Sequence, residues 1–495
     1  MSKSKKRIRT KKFLNTLLVI IVVTLFISTA IIAIIYTQGG KITRTGIVET
    51  GSIRLEIQPE DKENLVYLDD KQIKSDERLI NNITPGIHTI RIESTKFHSW
   101  EKDIEISPSY VTTIQVKLFP LEPELTQLTQ TNISKLFFSE DGSYAYYLVN
   151  DSLVEPNDQG LWRLRLEEQE LFFRRNSDPE KIIALEDTSL SYFTDPDIEV
   201  KIDQTNNKML IVNPTLQTVI IFDPTKSNTA EKIINLNEQI GFYPTKVNWF
   251  NNNNSLIVSN DEIIIEYNIV NQEKTIVGYL PETKPIYDTD GEILYAYSSI
   301  NNSISLYQNQ VARVLQLPSN FPINNINDLR LARDGSSIII RSDTSYYYYH
   351  LEKKQFIKIS DTGEIINISF DGTSIIFNNN NQVVFTVIEK SLIDLSLSVK
   401  TTPSMIDINL KPKYINNSNL VIINNYPLEK IQISENDGSN IIDILNNTTI
   451  DNGYYKFQKD GSSLTLMVED ASEENILNKN LFKLVLNTSS LPFNL

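Results

Sequence analysis

One short pattern recurs from about residue 132 to the end of this 495-residue chain: an apolar segment, a tight turn, and a second apolar segment. The clearest copies are LFFSEDGSYAYYL (136–148), LRLARDGSSIIIR (329–341), ISFDGTSIIFN (368–378) and YKFQKDGSSLTLM (455–467). Weaker copies lie at 200–212, 247–258, 286–297 and 412–423. Apolar runs on both sides of Asp-Gly or Asn-rich turns predict β-hairpins, because Asp/Asn-Gly supplies the positive φ that primed turns require.

The spacing of these hairpins restricts the fold further. If the residue in the glycine position is taken as a marker, the copies after the first are 46, 38, 44, 37, 45 and 44 residues apart. A period of about 40–45 residues in an all-β sequence is typical of β-propellers, in which each blade is a four-stranded sheet. The sequence therefore predicts a propeller over residues 120–495 with eight blades, or seven as the alternative.

The last copy leaves room for only three strands before the chain ends. Residues 121–129, just before the first copy, are the candidate for the missing fourth strand. This pairing would close the ring and cover sheet edges that otherwise invite aggregation. The repeat length and the Ser-x-Asp-Gly-Ser turns resemble those of WD-repeat and TolB-like propellers, although the Trp-Asp dipeptide is absent.

A separate alternating pattern covers residues 51–119 and predicts half-buried antiparallel strands with turns at Pro85-Gly86 and Pro108-Ser109. The runs GSIRLEIQP, LVYLDDKQI and ITPGIHTIRIESTKFHSW resemble the PEGA domain, a small β-sandwich of surface-exposed prokaryotic proteins. The matching residues are Pro59, Val66, Asp69, Pro85, Gly86, His88, Ile90, Phe97 and Trp100. Glu60 to Asn64 replaces the Pro-Glu-Gly-Ala run, and Asp70 replaces a usual turn Gly. The resemblance implies a surface module without catalysis.

The N-terminus combines a basic cluster with an apolar run. Residues 1–12 hold seven Lys/Arg and no acid, and residues 13–36 form an uncharged run of 24. As a helix this run would span roughly 36 Å, enough for a hydrocarbon core of about 30 Å. The pattern predicts a transmembrane helix over 13–36, a cytoplasmic tail over 1–12, a tether over 37–50 and an ectodomain (41–495) outside the membrane. A cleaved signal peptide is the alternative.

Charge and composition exclude several classes of function. Beyond residue 40 the chain carries 40 bases against 62 acids, so it should avoid nucleic acid. Plain solubility explains this charge better than the alternative, attraction of cations or basic surfaces. Cysteine is absent, which excludes disulfides and thiolate chemistry.

Candidate catalytic and metal-binding residues are few. His88, His98 and His350 share no metal-site spacing, and no G-x-S-x-G segment marks a serine nucleophile. The densest acid clusters are Asp195-Pro196-Asp197 with Glu199, and Asp288-Thr289-Asp290-Gly291-Glu292. The latter cluster resembles the start of an EF-hand loop, but Ser299 stands where the bidentate Glu belongs, so a turn explains it better. The sequence assigns no catalytic, cofactor-binding or metal-binding residue.

Two further runs have structural explanations. Tyr346 to Tyr349 must point alternately to the two sides of a strand, which favours packing between blades over stacking on sugars. The tracts Asn251 to Asn254 and Asn378 to Asn381 predict turns, because Asn tolerates left-handed backbone.

Taken together, these patterns predict a mostly β protein: a transmembrane helix, a small β-sandwich and a propeller. The expected function is a membrane-anchored cell-envelope binding or assembly protein, with the membrane bound through residues 13–36 and an envelope glycan or protein as partner. No cofactor is expected. The alternative is an envelope glycan hydrolase or lyase with carboxylates in the propeller funnel.

Overall fold

The structure is a computed structural model, and it describes most of the chain. The described residues are 17–30, 40–43, 46–61, 63–73, 79–151, 154–166, 179–203, 205, 208–226, 232–279, 286–299, 301–321, 325–390, 396–404, 406–407, 410, 412–415, 420–425, 430–446, 450–458, 462–471 and 477–486. The chain divides into two compact units, Met1–Leu121 and Glu122–Leu495.

In the first unit, the structure describes helix α1 over residues 17–30. In the part of the chain that the structure describes, no helix is long and apolar enough to cross a membrane. This finding contradicts the predicted localisation, with residues 1–12 in the cytoplasm and 41–495 outside the membrane. Of the predicted transmembrane helix over 13–36, the structure describes only residues 17–30. Residues 1–16 and 31–39 lie outside the described residues.

Strands follow where a tether (37–50) was predicted. These strands are β1 (Gly40–Thr43) and β2 (Gly46–Glu49), which pair as a hairpin. Two sheets come next. One has the order β6-β3-β9, with β3 (Gly51–Gln58), β6 (Leu79–Ile83) and β9 (Val111–Lys117). The other has the order β5-β4-β7-β8, with β4 (Leu65–Leu68), β5 (Lys71–Ile73), β7 (Gly86–Glu93) and β8 (Trp100–Ile106).

A single hydrophobic core joins these two sheets. Ile53 of β3, Val66 of β4 and Ile90 of β7 are almost fully buried within it. Side chains alternate between this core and solvent, as the period of two predicts. One pairing differs from the expected antiparallel arrangement: β3 and β9 run parallel.

Among its described residues, the second unit forms eight four-stranded antiparallel sheets. Sheet 1 is β11 (Lys135–Phe138), β12 (Tyr144–Val149), β13 (Gly160–Arg165) and β14 (Glu180–Ala184). Sheet 2 is β15 (Glu199–Ile202), β16 (Met209–Asn213), β17 (Thr218–Phe222) and β18 (Ile233–Asn235). Sheet 3 is β19 (Lys246–Phe250), β20 (Ser255–Ser259), β21 (Ile263–Asn268) and β22 (Lys274–Tyr279). Sheet 4 is β23 (Tyr287–Thr289), β24 (Leu294–Ser298), β25 (Ser303–Gln308) and β26 (Val311–Val314).

The remaining sheets continue this order. Sheet 5 is β27 (Ile326–Leu331), β28 (Ser337–Ser342), β29 (Ser345–His350) and β30 (Gln355–Ser360). Sheet 6 is β31 (Glu364–Ile368), β32 (Ser374–Asn379), β33 (Gln382–Lys390) and β34 (Leu397–Pro403). Sheet 7 is β35 (Lys413–Tyr414), β36 (Leu420–Asn425), β37 (Lys430–Glu435) and β38 (Ile442–Asn446). Sheet 8 is β39 (Ile450–Phe457), β40 (Ser463–Ala471), β41 (Leu477–Val485) and β10 (Glu124–Gln127). Short helices interrupt the strands at Pro156–Asp158, Thr188–Leu190, α2 (Ser191–Thr194) and α3 (Leu236–Ile240).

This repetition of four-stranded meanders is the architecture of a β-propeller. The predicted pairing of the segment before the first sheet with the last sheet is confirmed: β10 pairs with β41, with Glu124 opposite Val485 and Gln127 opposite Phe482. The last sheet therefore takes its fourth strand from the segment that precedes the first sheet.

The cores of the second unit lie between neighbouring sheets. Tyr346 and Tyr348 pack into the cluster that joins sheets 5 and 6, whereas Tyr349 belongs to the cluster between sheets 4 and 5. This alternation confirms that the tyrosine run packs between sheets. Sheets 1 and 8 also share a cluster, with Tyr147 and Met467 at 3% and 0% exposure.

The turn between the first two strands of sheet 1 differs from the expected primed type. In the turn Ser139–Gly142 the amide of Gly142 donates to the carbonyl of Ser139 (3.1 Å), and only Gly142 has positive φ (+74°). Asp141 instead accepts hydrogen bonds from the Ser139 hydroxyl (2.6 Å) and from the Ser143 amide (3.0 Å). The Asn tracts do use left-handed backbone, as predicted: Asn251 and Asn380 both have φ of +52°.

Candidate functional site

The first strands of the sheets line the centre of a propeller, so their polar side chains are the first candidates for a site. Several of them reach the first strand of the next sheet. Lys201 Nζ donates to the carbonyl of Val247 at 3.0 Å, and Lys246 Nζ donates to the carbonyl of Tyr287 at 2.7 Å. Asp288 accepts a hydrogen bond from the amide of Leu331 at 2.9 Å. These contacts hold neighbouring sheets together.

Two carboxylates on the first strands, Asp288 and Asp328, are paired with bases. Asp288 lies 3.8 Å from Lys246 Nζ, and both oxygens of Asp328 lie 3.1 Å from Arg330 Nε. Burial lowers the pKa of Lys246; Asp288 opposes this shift, and the positive charge of Arg330 adds to it. Asp288 and Asp328 therefore each have a basic partner.

The two predicted acid clusters form turns and ion pairs. Asp195 accepts a hydrogen bond from the amide of Asp197 (3.0 Å), and Glu199 lies 3.5 Å from Lys201 Nζ. Asp290 accepts hydrogen bonds from the amides of Glu292 (2.8 Å) and Ile293 (2.7 Å). Within the described ranges, no group of three His, Cys, Asp or Glu could hold a metal ion.

The three histidines do not converge either. His88 and His98 belong to the first unit and His350 to the second. His350 accepts a long hydrogen bond from the amide of Lys353 (3.4 Å), and burial lowers its pKa.

The loops of the second unit form two sets that lie at opposite ends of the strands. We call one end the connection face; it carries the second-to-third strand turns and the segments between sheets, such as 150–159 and 185–198. We call the other end the hairpin face; it carries the first-to-second and third-to-fourth strand turns, such as 139–143 and 351–354. Loops of the same face contact one another: Thr215 donates to Asp197 within the connection face (2.9 Å).

The two faces differ in charge. The described residues of the connection face include thirteen acids and no base, which are Asp151, Glu155, Asp158, Glu186, Asp187, Asp195, Asp197, Glu238, Asp261, Glu262, Asp343, Asp361 and Asp407. The described residues of the hairpin face include eleven acids and six bases; the bases are Lys208, Lys226, Lys232, Arg333, Lys353 and Lys354. Asp187 is the one connection-face acid whose described ion pair, to Lys232, reaches a base of the hairpin face (3.3 Å).

The connection face also exposes apolar side chains. Leu216 is 65% exposed, Tyr192 39% and Leu185 37%. No sequence motif marks this face, because its acids are scattered over many short loops. Only the strand boundaries, which assign each loop to one end of its sheet, reveal the asymmetry.

No protein-family model and no curated protein matches the chain, so the resemblance of residues 51–119 to the PEGA domain finds no support in these comparisons. The chain is similar to the WD40 domain of SCAP from fission yeast (10% identity, 74% of this chain and 98% of that chain, TM-score 0.43). It is also similar to Kluyveromyces lactis Hsv2 (11% identity, 71% and 99%, TM-score 0.36). A third similar structure is the β-propeller domain of Cps50 (Swd1) from Myceliophteria thermophila (9% identity, 74% and 100%, TM-score 0.36). These scores are too low to transfer a function, and the assignment of a β-propeller rests on the sheet order of the chain itself.

Proposed function

We propose that this chain is a non-catalytic binding platform whose connection face holds a protein partner with a basic surface. The observation that carries the proposal is the charge of that face, which has thirteen acids and no base among its described residues. Acids of one sign on one face create a field that attracts a basic partner and orients it on approach. The exposed Leu216 and Tyr192 would supply apolar contacts at the same surface.

We further propose that the eight sheets are the eight blades of one closed ring. Two observations support this reading: β10 completes sheet 8, and sheets 1 and 8 share a hydrophobic cluster. A closed ring is a rigid support, and recognition residues are typically found on loops that such a support positions. Nothing described at the centre of the ring favours the hydrolase or lyase alternative, because Asp288 and Asp328 are paired with Lys246 and Arg330.

The test compares two charge-reversal variants of the full chain. The first replaces three exposed connection-face acids: Glu155→Lys, Glu186→Lys and Glu262→Lys. The matched control makes the same changes on the hairpin face: Glu140→Lys, Glu273→Lys and Glu352→Lys. Both variants change the net charge equally, so only the position of the charge differs.

Binding of a fluorescent lysine-rich polypeptide is measured by anisotropy at several salt concentrations. We expect the connection-face variant to lose about tenfold in affinity at low salt, and the control to lose much less. The loss should shrink as salt rises, because exposed charges are screened. Equal losses in the two variants would refute the connection face as the binding surface.

A further inference from the structure

The ring of His88 lies between two groups that only accept hydrogen bonds. Nδ1 is 2.7 Å from Oδ2 of Asp69, and Nε2 is 2.6 Å from the carbonyl oxygen of Thr84. The His88 side chain is only 12% exposed, so water has limited access to the ring. A carbonyl oxygen and an ionised carboxylate cannot donate a proton, and both ring nitrogens must therefore carry one. Only the imidazolium form meets that requirement.

We propose that His88 is a pH-sensitive latch: as an imidazolium it ties the β4–β5 turn to the segment before β7, and it releases one of them when it loses a proton. The neutral ring has a lone pair on one nitrogen. That lone pair would face either the Asp69 carboxylate or the Thr84 carbonyl at hydrogen-bond distance, and the repulsion would break that contact.

The His88 contact with Asp69 stabilises the β4–β5 turn, whose backbone conformation is unfavourable. Asp69 and Asp70 both have left-handed backbone, with φ of +48° and +62°, which is unfavourable for side chains other than Gly. Asp69 is also bound to β7 through its backbone and side chain, since its amide donates to the Thr89 carbonyl (2.9 Å) and its Oδ1 accepts from the Thr89 amide (3.1 Å). Loss of the His88 contact would leave the Thr89 hydrogen bonds and the ion pair of Asp70 with Arg91 (3.6 Å) to hold the turn.

Other charged groups surround the latch but do not replace it. Asp70 and Lys71 lie in the same turn and strand, and β8 brings Asp103 opposite Thr89 and Lys102 opposite Ile90. Asp103 accepts a hydrogen bond from the Thr89 hydroxyl (2.6 Å). Among these charges, Asp69 is the one that acts on His88.

The pKa shifts agree with this geometry and set the pH window. Burial lowers the pKa of His88, but the hydrogen bonds to Asp69 and Thr84 and the Asp69 charge outweigh burial and raise it above 6.5. The stabilisation from His88 is therefore complete below pH 6.5 and is lost as pH rises through the raised value. The hydrogen bond from His88 lowers the pKa of Asp69 below 3.8, so its contribution is present above pH 3.8 and is lost as pH falls through the lowered value.

The first test is an NMR titration of the full chain with isotope-labelled histidine. The chain has three histidines, so His98→Gln and His350→Gln variants assign the remaining signals. We expect His88 to titrate with a midpoint above 6.5, with protons on both ring nitrogens below it. Asp69→Asn should lower that midpoint by about one pH unit, because it removes the opposite charge. The matched control, Asp103→Asn, removes a nearby acid that does not touch His88 and should leave the midpoint unchanged.

The second test measures hydrogen exchange at the amides of Asp69 and Thr89, corrected for the intrinsic effect of pH. We expect these amides to lose about tenfold in protection between about pH 6 and about pH 8. His88→Gln should abolish that difference. A wild-type midpoint at or below 6.5, or one that Asp69→Asn does not move, would overturn the latch, and that readout does not depend on how well the His88→Gln variant folds.

Discussion

The turn glycines of the second unit have similar backbone angles and different surroundings. Gly142, Gly335 and Gly372 have φ of +74°, +70° and +70°. A Cβ at Gly142 would lie 2.5 Å from the carbonyl oxygen of Phe457 in sheet 8, and one at Gly372 would lie 2.8 Å from the Cβ of Ala332. At Gly335 the neighbour is the end of a flexible side chain, Asp290 Oδ2, at 2.9 Å. Two of the three glycines therefore also permit close contact between sheets.

This difference predicts a ranking of alanine variants. Gly335→Ala should lower the free energy of unfolding by roughly 1–2 kcal/mol, because left-handed backbone is unfavourable for a residue with a Cβ. Gly142→Ala and Gly372→Ala should cost more, because backbone or a rigid neighbour must also move. Denaturant unfolding of the three variants would measure their free energies of unfolding. Equal decreases in the three variants would contradict the role of Gly142 and Gly372 in contacts between sheets.

Two buried tyrosines differ in the hydrogen bonding of their hydroxyl groups. Tyr307 donates to Oε2 of Glu266 at 2.7 Å, and Glu266 itself is only 5% exposed. The hydroxyl of Tyr267, a fully buried residue, has no hydrogen-bond partner among the described residues. Burial raises the pKa of both tyrosines, so both hydroxyls stay protonated at neutral pH.

Removing these two hydroxyls should therefore have opposite effects on the free energy of unfolding. Tyr307→Phe should cost about 1–3 kcal/mol, because the buried Glu266 loses its donor. Tyr267→Phe should be neutral or slightly stabilising, because it removes an unsatisfied polar group. Thermal and denaturant unfolding of both variants provide the comparison, and a larger loss for Tyr267→Phe would contradict it.

At the scale of elements, β10 is held mainly by its backbone. Its four side chains are exposed, so it buries little apolar area on sheet 8. Its attachment comes from pairing with β41 and from the residues that follow it: the Leu128 amide donates to the Leu481 carbonyl (2.8 Å), and the Leu481 amide donates to the Thr129 hydroxyl (2.9 Å). Hydrogen bonds, and not the burial of apolar area, therefore close sheet 8.

Removal of this strand should weaken the second unit measurably. A fragment that begins at Asn132 should be less stable than one that begins at Leu121 by roughly 2–5 kcal/mol, since each lost hydrogen bond contributes about 0.5–1.5 kcal/mol. Melting temperatures of the two fragments would show the difference. Equal temperatures would mean that β10 contributes nothing to the closure.

The elements that could be predicted from sequence were those with strong local signals. Apolar runs around an Asp-Gly or Asn-rich turn located the first two strands of each sheet, because a hairpin is a local structure. The Asp437-Gly438 turn of sheet 7 lies between the third and fourth strands, with φ of +77° at Gly438, so it falls outside the spacing of the first hairpins and was missed. The helical segment around Phe193 was also missed, because its burial between sheets 1 and 2 depends on distant residues such as Phe222.

At the scale of the whole molecule, the total charge could be read from the sequence but its arrangement could not. The net charge of −15 includes the basic N-terminus and says nothing about which loops share a face. Strand directions assign thirteen described acids to the connection face and leave the described bases of the loops on the hairpin face.

The pairing of β10 with β41 also determines the order in which this protein can be completed during synthesis. The ribosome makes β10 more than three hundred residues before β41, yet neither strand has its full set of partners until both exist. Until then the growing chain presents an open edge at each end of the row of sheets. Contacts between residues so far apart form slowly, and open edges are prone to pair with other chains. The interval between translating β10 and translating β41 is therefore the period in which a nascent chain is most exposed to misassembly.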